Sequence, residues 1–104
     1  MRVYGLKNCD TCRAAAKALE AELVDIRAEP LDAADVARFE AAFGEALVNP
    51  CSTTWRNLAE ADRAGSVAEV IAAHPTVMKR PVIEAGDGTL HLGWSGEVRA
   101  AFGV

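Results

Sequence analysis

Apolar residues along this chain fall into short runs separated by polar breaks, and most of the breaks carry turn or cap chemistry. Residues 1–5 read as a short strand, and residues 11–22 as a helix, because Ala, Leu, Lys and Glu follow one another there without Gly or Pro. Leu23-Val24-Asp25-Ile26 suits a second strand. Asp32, just after Pro30, is placed to cap a helix that runs to Phe43 and stops at Gly44. Ser52 opens a further helix through Thr54, Trp55 and Leu58, and Ser66 with Glu69 makes a capping box for one that ends before Pro75. After Pro81, Val82-Ile83-Glu84 and Leu90-His91-Leu92 flank Gly86-Asp87-Gly88 as a hairpin. Ser95 then caps a closing helix over residues 95–102, in spite of the low helix propensity of Gly96. The order β-α-β, helices, β-β-α predicts an α/β fold in which a small mixed sheet is covered by helices.

Composition narrows the picture. The 104 residues, 51% hydrophobic and 25% charged, suit one domain spanning residues 1–104. A net charge of −4 supplies no basic field for a nucleic-acid backbone, so direct nucleic-acid binding is not expected. The N-terminus has no signal-peptide apolar stretch and no run approaches a membrane span, which predicts a cytoplasmic protein away from membranes. Three cysteines, Cys9, Cys12 and Cys51, are too few and too oddly numbered for a secreted disulfide framework. Chemistry is the better use for them.

Cys9-Asp10-Thr11-Cys12 sits where the first strand gives way to the first helix. A helix N-terminus offers unpaired N–H groups and a positive dipole end, which favour a thiolate, the form of cysteine that attacks. The amides of Asp10, Thr11 and Cys12 are placed to surround the Cys9 sulfur or a bound oxyanion. Asp10 raises the thiol pKa, whereas Lys7 and Arg13 lower it. Cys12, one turn along, is placed to resolve a mixed disulfide on Cys9. Two readings compete with thiol redox chemistry. One is zinc held by Cys9, Cys12, Cys51 and His74 or His91, for which no second Cys-x-x-Cys or paired histidine motif speaks; metal binding is not expected. The other is a purely structural Cys12 buried as a small hydrophobe.

Arg80-Pro81 is the second informative point, since a proline that opens a strand presents neighbouring backbone to a ligand when its peptide bond is cis. On spacing alone a trans bond is the expectation. Arg80 offers a forked donor for an anion. Trp55 and Trp94 read as packing residues, His74 as a helix-end residue and His91 as solvent-facing, between Leu90 and Leu92.

Three separated segments together resemble one family: Tyr4-Gly5-Leu6-Lys7-Asn8-Cys9-Asp10-Thr11-Cys12-Arg13, Ser52-Thr53-Thr54-Trp55-Arg56-Asn57-Leu58 and Met78-Lys79-Arg80-Pro81-Val82. The chain resembles the ArsC-related group of glutathione- or glutaredoxin-coupled arsenate reductases, Spx-type regulators and YffB-type proteins, over nearly its whole length and most of all the YffB branch. The resemblance implies a thioredoxin-like fold with a helical insertion, a reactive Cys9 and a substrate-facing cis Pro81. It implies an anion- or glutathione-binding role for Arg80, and it places Asn8, Asp10 and Thr11 beside the substrate. Two family arginines are missing: their positions are held by Cys51 and Trp94. That removes charge-assisted hydrogen bonds which arsenate recognition needs. Cys51 itself reads as a buried small residue rather than a spare thiol near the site.

The expected function is therefore a thiol-disulfide oxidoreductase with Cys9 as nucleophile, its mixed-disulfide intermediate resolved either by Cys12 or by external glutathione. It carries no bound cofactor, takes a disulfide substrate, and draws on glutathione as co-substrate or on glutaredoxin as partner. The alternatives are a Spx-like redox-sensing regulator that binds RNA polymerase and a true arsenate reductase.

Overall fold

Helix α1 (Asp10–Leu19) exists because ten residues with no Gly or Pro follow a residue that serves as its cap. The computed structural model describes residues 1–104, and the chain forms two compact units, one of Met1–Glu29 with Arg80–Val104 and one of Pro30–Lys79.

The first unit holds a four-stranded sheet. Strands β1 (Arg2–Gly5), β2 (Glu22–Asp25), β3 (Val82–Glu84) and β4 (Leu90–Leu92) lie in the order β2-β1-β3-β4. β1 and β2 are parallel, joined by α1, while β1–β3 and β3–β4 are antiparallel, so the sheet is mixed as the element order predicts. Val3 is paired with Ile83, and both are fully buried in a cluster with Ala15 and Ala16 of α1. Leu19, Ala21, Leu23, Trp94, Val98 and Phe102 pack against that cluster, the last two from helix α6 (Gly96–Phe102). Trp94 is thus a packing residue, as its sequence setting suggests.

Three details differ from the sequence reading. α1 stops at Leu19, because Glu20 takes a left-handed conformation (φ 50°) in which the end of the helix is closed by bonds to the Ala16 and Lys17 carbonyls. This frees Ala21 and Leu23 to turn into the core. His91 does not face solvent: it pairs with Ile83, shares that residue's core-facing side of the sheet, and meets the Phe102 ring at 4.7 Å between centroids. Cys51, expected to be a buried small residue, is exposed, since its amide donates to the Asn49 side chain in a surface turn that precedes a helix.

The second unit is helical: α2 (Ala33–Phe43), a 3₁₀ turn (Gly44–Leu47), α3 (Thr53–Asn57), α4 (Glu60–Arg63), α5 (Val67–Ala73) and a 3₁₀ turn (Pro75–Val77). Its caps are those the sequence announces. Asp32, Ser52 and Ser66 side chains accept from the amides of Asp35, Trp55 and Glu69. Glu40 of α2 also accepts from the Ala68 amide at 3.0 Å, which satisfies an orphan donor of α5 from a neighbouring helix. Phe39, Val36, Leu47, Val70, Ile71 and Val77 are buried. α4, short and without a side-chain cap bond, has no counterpart in the sequence reading; Arg63 at its end donates to the Trp55 and Arg56 carbonyls and lies 5.3 Å over the Trp55 ring.

Candidate functional site

The site is built at the C-terminal end of β1, where the chain must leave the sheet and start α1. A turn closed by the Cys9 amide on the Leu6 carbonyl (3.1 Å) carries Lys7 and Asn8 out to solvent and brings Cys9 back as the helix cap. Cys9 has extended backbone angles, and its sulfur accepts from the Cys12 amide at 3.5 Å. A sulfur in the place of a capping oxygen is thereby aimed at the unpaired amides of the first turn.

Burial of Cys9 works against its thiolate, and it is outweighed. The Cys12 thiol, the Cys12 amide, the positive charge of Arg80 and the Thr11 amide together hold the Cys9 pKa below the ordinary cysteine value. Arg80 is the cation that acts here; Arg13, named above for the same task, is engaged in an exposed ion pair with Asp10. Cys12 behaves oppositely. Fully buried, it has its thiol pushed up to about 12, first by desolvation and further by Cys9, against the lowering effect of the Leu6 amide and Arg80. The pair therefore consists of one sulfur prepared to be an anion and one prepared to keep its proton, which is how two titrating groups divide roles when their environments differ.

Arg80 and Pro81 open β3. The Arg80–Pro81 peptide bond is cis, as the resemblance implies and spacing alone does not. Pro81 is buried, and its carbonyl accepts from the Gly93 amide at 2.7 Å. Asp10 and Thr11 lie in the first turn of α1, exposed, and Asn8 is exposed in the turn before it. Cys9, Cys12 and Arg80 are thus brought into electrostatic reach of one another, from three places in the sequence, within a single unit.

One residue of the site escaped the sequence reading. Asp25, at the end of β2 and only 8% exposed, accepts from the amides of Lys7 (3.1 Å), Arg27 (2.8 Å) and Ala28 (3.2 Å). It clamps the turn that carries Cys9 to the chain leaving β2. The signal available in sequence is an acid at the end of an apolar strand, a residue type that is almost never buried without partners. Those amide bonds, the Lys7 amide first, hold its carboxyl below the usual carboxylate value of 3.8. A folded pKa below the unfolded one means the contribution is complete above pH 3.8 and is lost as pH falls through the folded value. Asp25→Asn is expected to lower the melting temperature at neutral pH, and thermal melts down a pH series should show the gap to wild type closing in acid.

A capping thiol at the first helix, a buried second thiol one turn on and a proline-led strand bearing an arginine define a thiol-redox protein of the thioredoxin-like class. The chain belongs to the ArsC family: the family's sequence model matches residues 4–102. It is 41% identical over 111 residues to a protein of uncharacterised function from Haemophilus influenzae, with 96% of each chain covered. Among solved structures it is similar to a YffB protein (TM-score 0.81, 29% identity, 96% of both chains). It is also similar to an arsenate reductase (ArsC) related protein of Brucella melitensis (TM-score 0.73, 37% identity, 99% of this chain and 94% of that one). A possible arsenate reductase of Streptococcus mutans, 22% identical, shares the fold at a TM-score of 0.67. At the level of the family, these likenesses support a thiol-dependent reductase. No helix is long and apolar enough to cross a membrane.

Proposed function

We propose that this chain is a cytosolic thiol-disulfide oxidoreductase that exchanges with glutathione or glutaredoxin, with Cys9 as nucleophile and Cys12 as resolving thiol. The observation that carries this reading is the opposed preparation of the two sulfurs: a capping Cys9 held toward its thiolate and a buried Cys12 held toward its thiol.

The Cys9 thiolate attacks one sulfur of a disulfide, a bond forms to Cys9, and the other sulfur leaves as a thiolate and takes a proton from solvent. While Cys9 is anionic, its charge keeps the Cys12 proton in place. Once Cys9 is in a mixed disulfide that charge is gone, and Cys12 loses part of what holds its proton. Its thiolate then attacks the Cys9 sulfur, the substrate sulfur departs reduced, and a Cys9–Cys12 disulfide remains for two glutathione thiols, or a glutaredoxin, to reduce. Arg80 serves a carboxylate of the glutathionyl group by charge-assisted hydrogen bonding. The Thr11 amide steadies the departing or arriving sulfur, and Asn8, Asp10 and Pro81 flank it. Arsenate is the weaker substrate: Cys51 and Trp94 stand where arsenate reductases carry guanidinium groups, and Trp94 is packed into the sheet's hydrophobic cluster.

The test is mass spectrometry after treatment with oxidised glutathione. The expected product is a Cys9–Cys12 disulfide, lighter than the reduced chain by two hydrogens, which reduced glutathione reverses. Exposed Cys51 is an internal control. Glutathionylation of Cys51 with Cys9 left untouched overturns the assignment.

A further inference from the structure

Gly5 ends β1 and is paired in register with Asp25 of β2. Glycine weakens a strand, so its presence there needs a reason. Backbone conformation does not supply one, because Gly5 is absent from the positive-φ residues of the chain. Space does. A methyl group placed on Gly5 would lie 2.3 Å from the Cys12 sulfur and 3.0 Å from its Cβ, far inside the roughly 3.5–4.0 Å at which non-bonded heavy atoms rest.

The sulfur has little freedom to move aside. Cys12 is fully buried, and a helical side chain has few χ1 wells open to it. The neighbouring Leu6 amide acts on the same sulfur and favours its thiolate, so the end of β1 both makes room for the Cys12 sulfur and bears on its charge.

Resting on the thiol-disulfide reading above, we propose that Gly5 is the positioning residue of the dithiol step: the missing side chain at the end of β1 is the socket that seats the Cys12 sulfur within range of Cys9. In that step the Cys12 thiolate attacks the Cys9 sulfur of a Cys9–glutathione mixed disulfide. The Cys9–Cys12 bond forms, the bond to glutathione breaks, and glutathione leaves with the electron pair and takes a proton. Displacement of reacting atoms by about an ångström costs on the order of 10²-fold in rate, which sets the expected effect of refilling the socket.

The experiment follows the full chain after a pulse of oxidised glutathione, by quenched mass spectrometry, in wild type and Gly5→Ala. Wild type should pass quickly from the glutathione adduct to the Cys9–Cys12 disulfide. Gly5→Ala should form the adduct and hold it, with closure slower by roughly 10²-fold. Closure at the wild-type rate would overturn the proposal. Because Gly5→Ala tests folding as well, melting temperatures are compared in two backgrounds. The alanine should lower the melting temperature when residue 12 is Cys and do so far less when Cys12→Ala removes the sulfur. An equal penalty in both backgrounds would show that Gly5 serves something other than the thiol. If wild type itself forms no Cys9–Cys12 disulfide, the dithiol reading fails, and the melting comparison still decides whether Gly5 seats the sulfur.

Discussion

Replacing Cys9 with serine is expected to reduce disulfide turnover to background, a loss of roughly 10³-fold or more. The reason lies in what the site does for a sulfur and cannot do for an oxygen. A serine hydroxyl at the cap would accept from the Cys12 amide more tightly than sulfur does, so the helix would be capped at least as well. The chemistry would vanish all the same, since an alkoxide is not populated near neutral pH and an S–O product is no intermediate in thiol exchange. Fold and activity therefore separate in this variant: circular dichroism and melting temperature near wild type, no glutathione adduct at position 9. The reactivity of wild type supplies the complementary readout. With the Cys9 pKa held below the ordinary cysteine value, its alkylation rate should rise with pH and level off earlier than that of a free thiol, because only the thiolate reacts. Cys12, raised to about 12 and buried, should resist alkylation until the chain unfolds. A Cys9→Ser chain that turned over disulfide substrate at even a tenth of the wild-type rate would move the nucleophile elsewhere.

How much of this was legible in the sequence depends on the distance over which each feature is decided. Helix starts are local, and Asp32, Ser52, Ser66 and Ser95 all cap as read, because a side-chain oxygen reaches an amide three residues on. Cys9 at a helix start was legible for the same reason. The end of α1 was not: Glu20, Ala21 and Glu22 are acceptable helix residues, and the helix stops at Leu19 because Ala21 and Leu23 are needed in the core. His91 looked solvent-facing in a three-residue alternation, yet its face is set by pairing with Ile83, a relation that strand register decides and local pattern does not. Asp25 and Gly5 were missed because their meaning lies in partners from other elements. Asp25 matters through the Lys7 amide, and Gly5 through a sulfur on the next helix. The same holds for electrostatics. Lys7 and Arg13 are near Cys9 in sequence, but Arg80, some seventy positions away, is the cation that counts. Propensity and capping thus recover the scaffold of the site, while the tuning of its sulfur is a tertiary property.

Phe39→Ala is expected to cost about 3–5 kcal/mol, the largest stability effect of any single truncation in the second unit. Phe39 is fully buried and heads the chain's largest fully buried side chains, in the middle of α2, where Val36 one turn back is buried too. Its removal subtracts the transfer free energy of a phenyl ring and leaves a hole that the neighbours fill only in part, since buried interiors are packed too tightly to relax over several ångströms. Helix propensity pulls the other way, because Ala exceeds Phe, but by no more than about 0.7 kcal/mol, so packing wins. A chain of 104 residues has a total stability of roughly 5–15 kcal/mol, and the substitution therefore removes about three-fifths or more of it at the low end of that range and about a fifth to a third at the high end. Urea titration should show the midpoint falling sharply. The Arg38 guanidinium, 5.5 Å over the Phe39 ring, pairs with Asp35 on the exposed side of α2 and would keep that partner, so truncating Arg38 to alanine should cost under about 1 kcal/mol beside it. Equal effects from the two alanine substitutions would mean that surface charge, and not the buried ring, holds α2 in place.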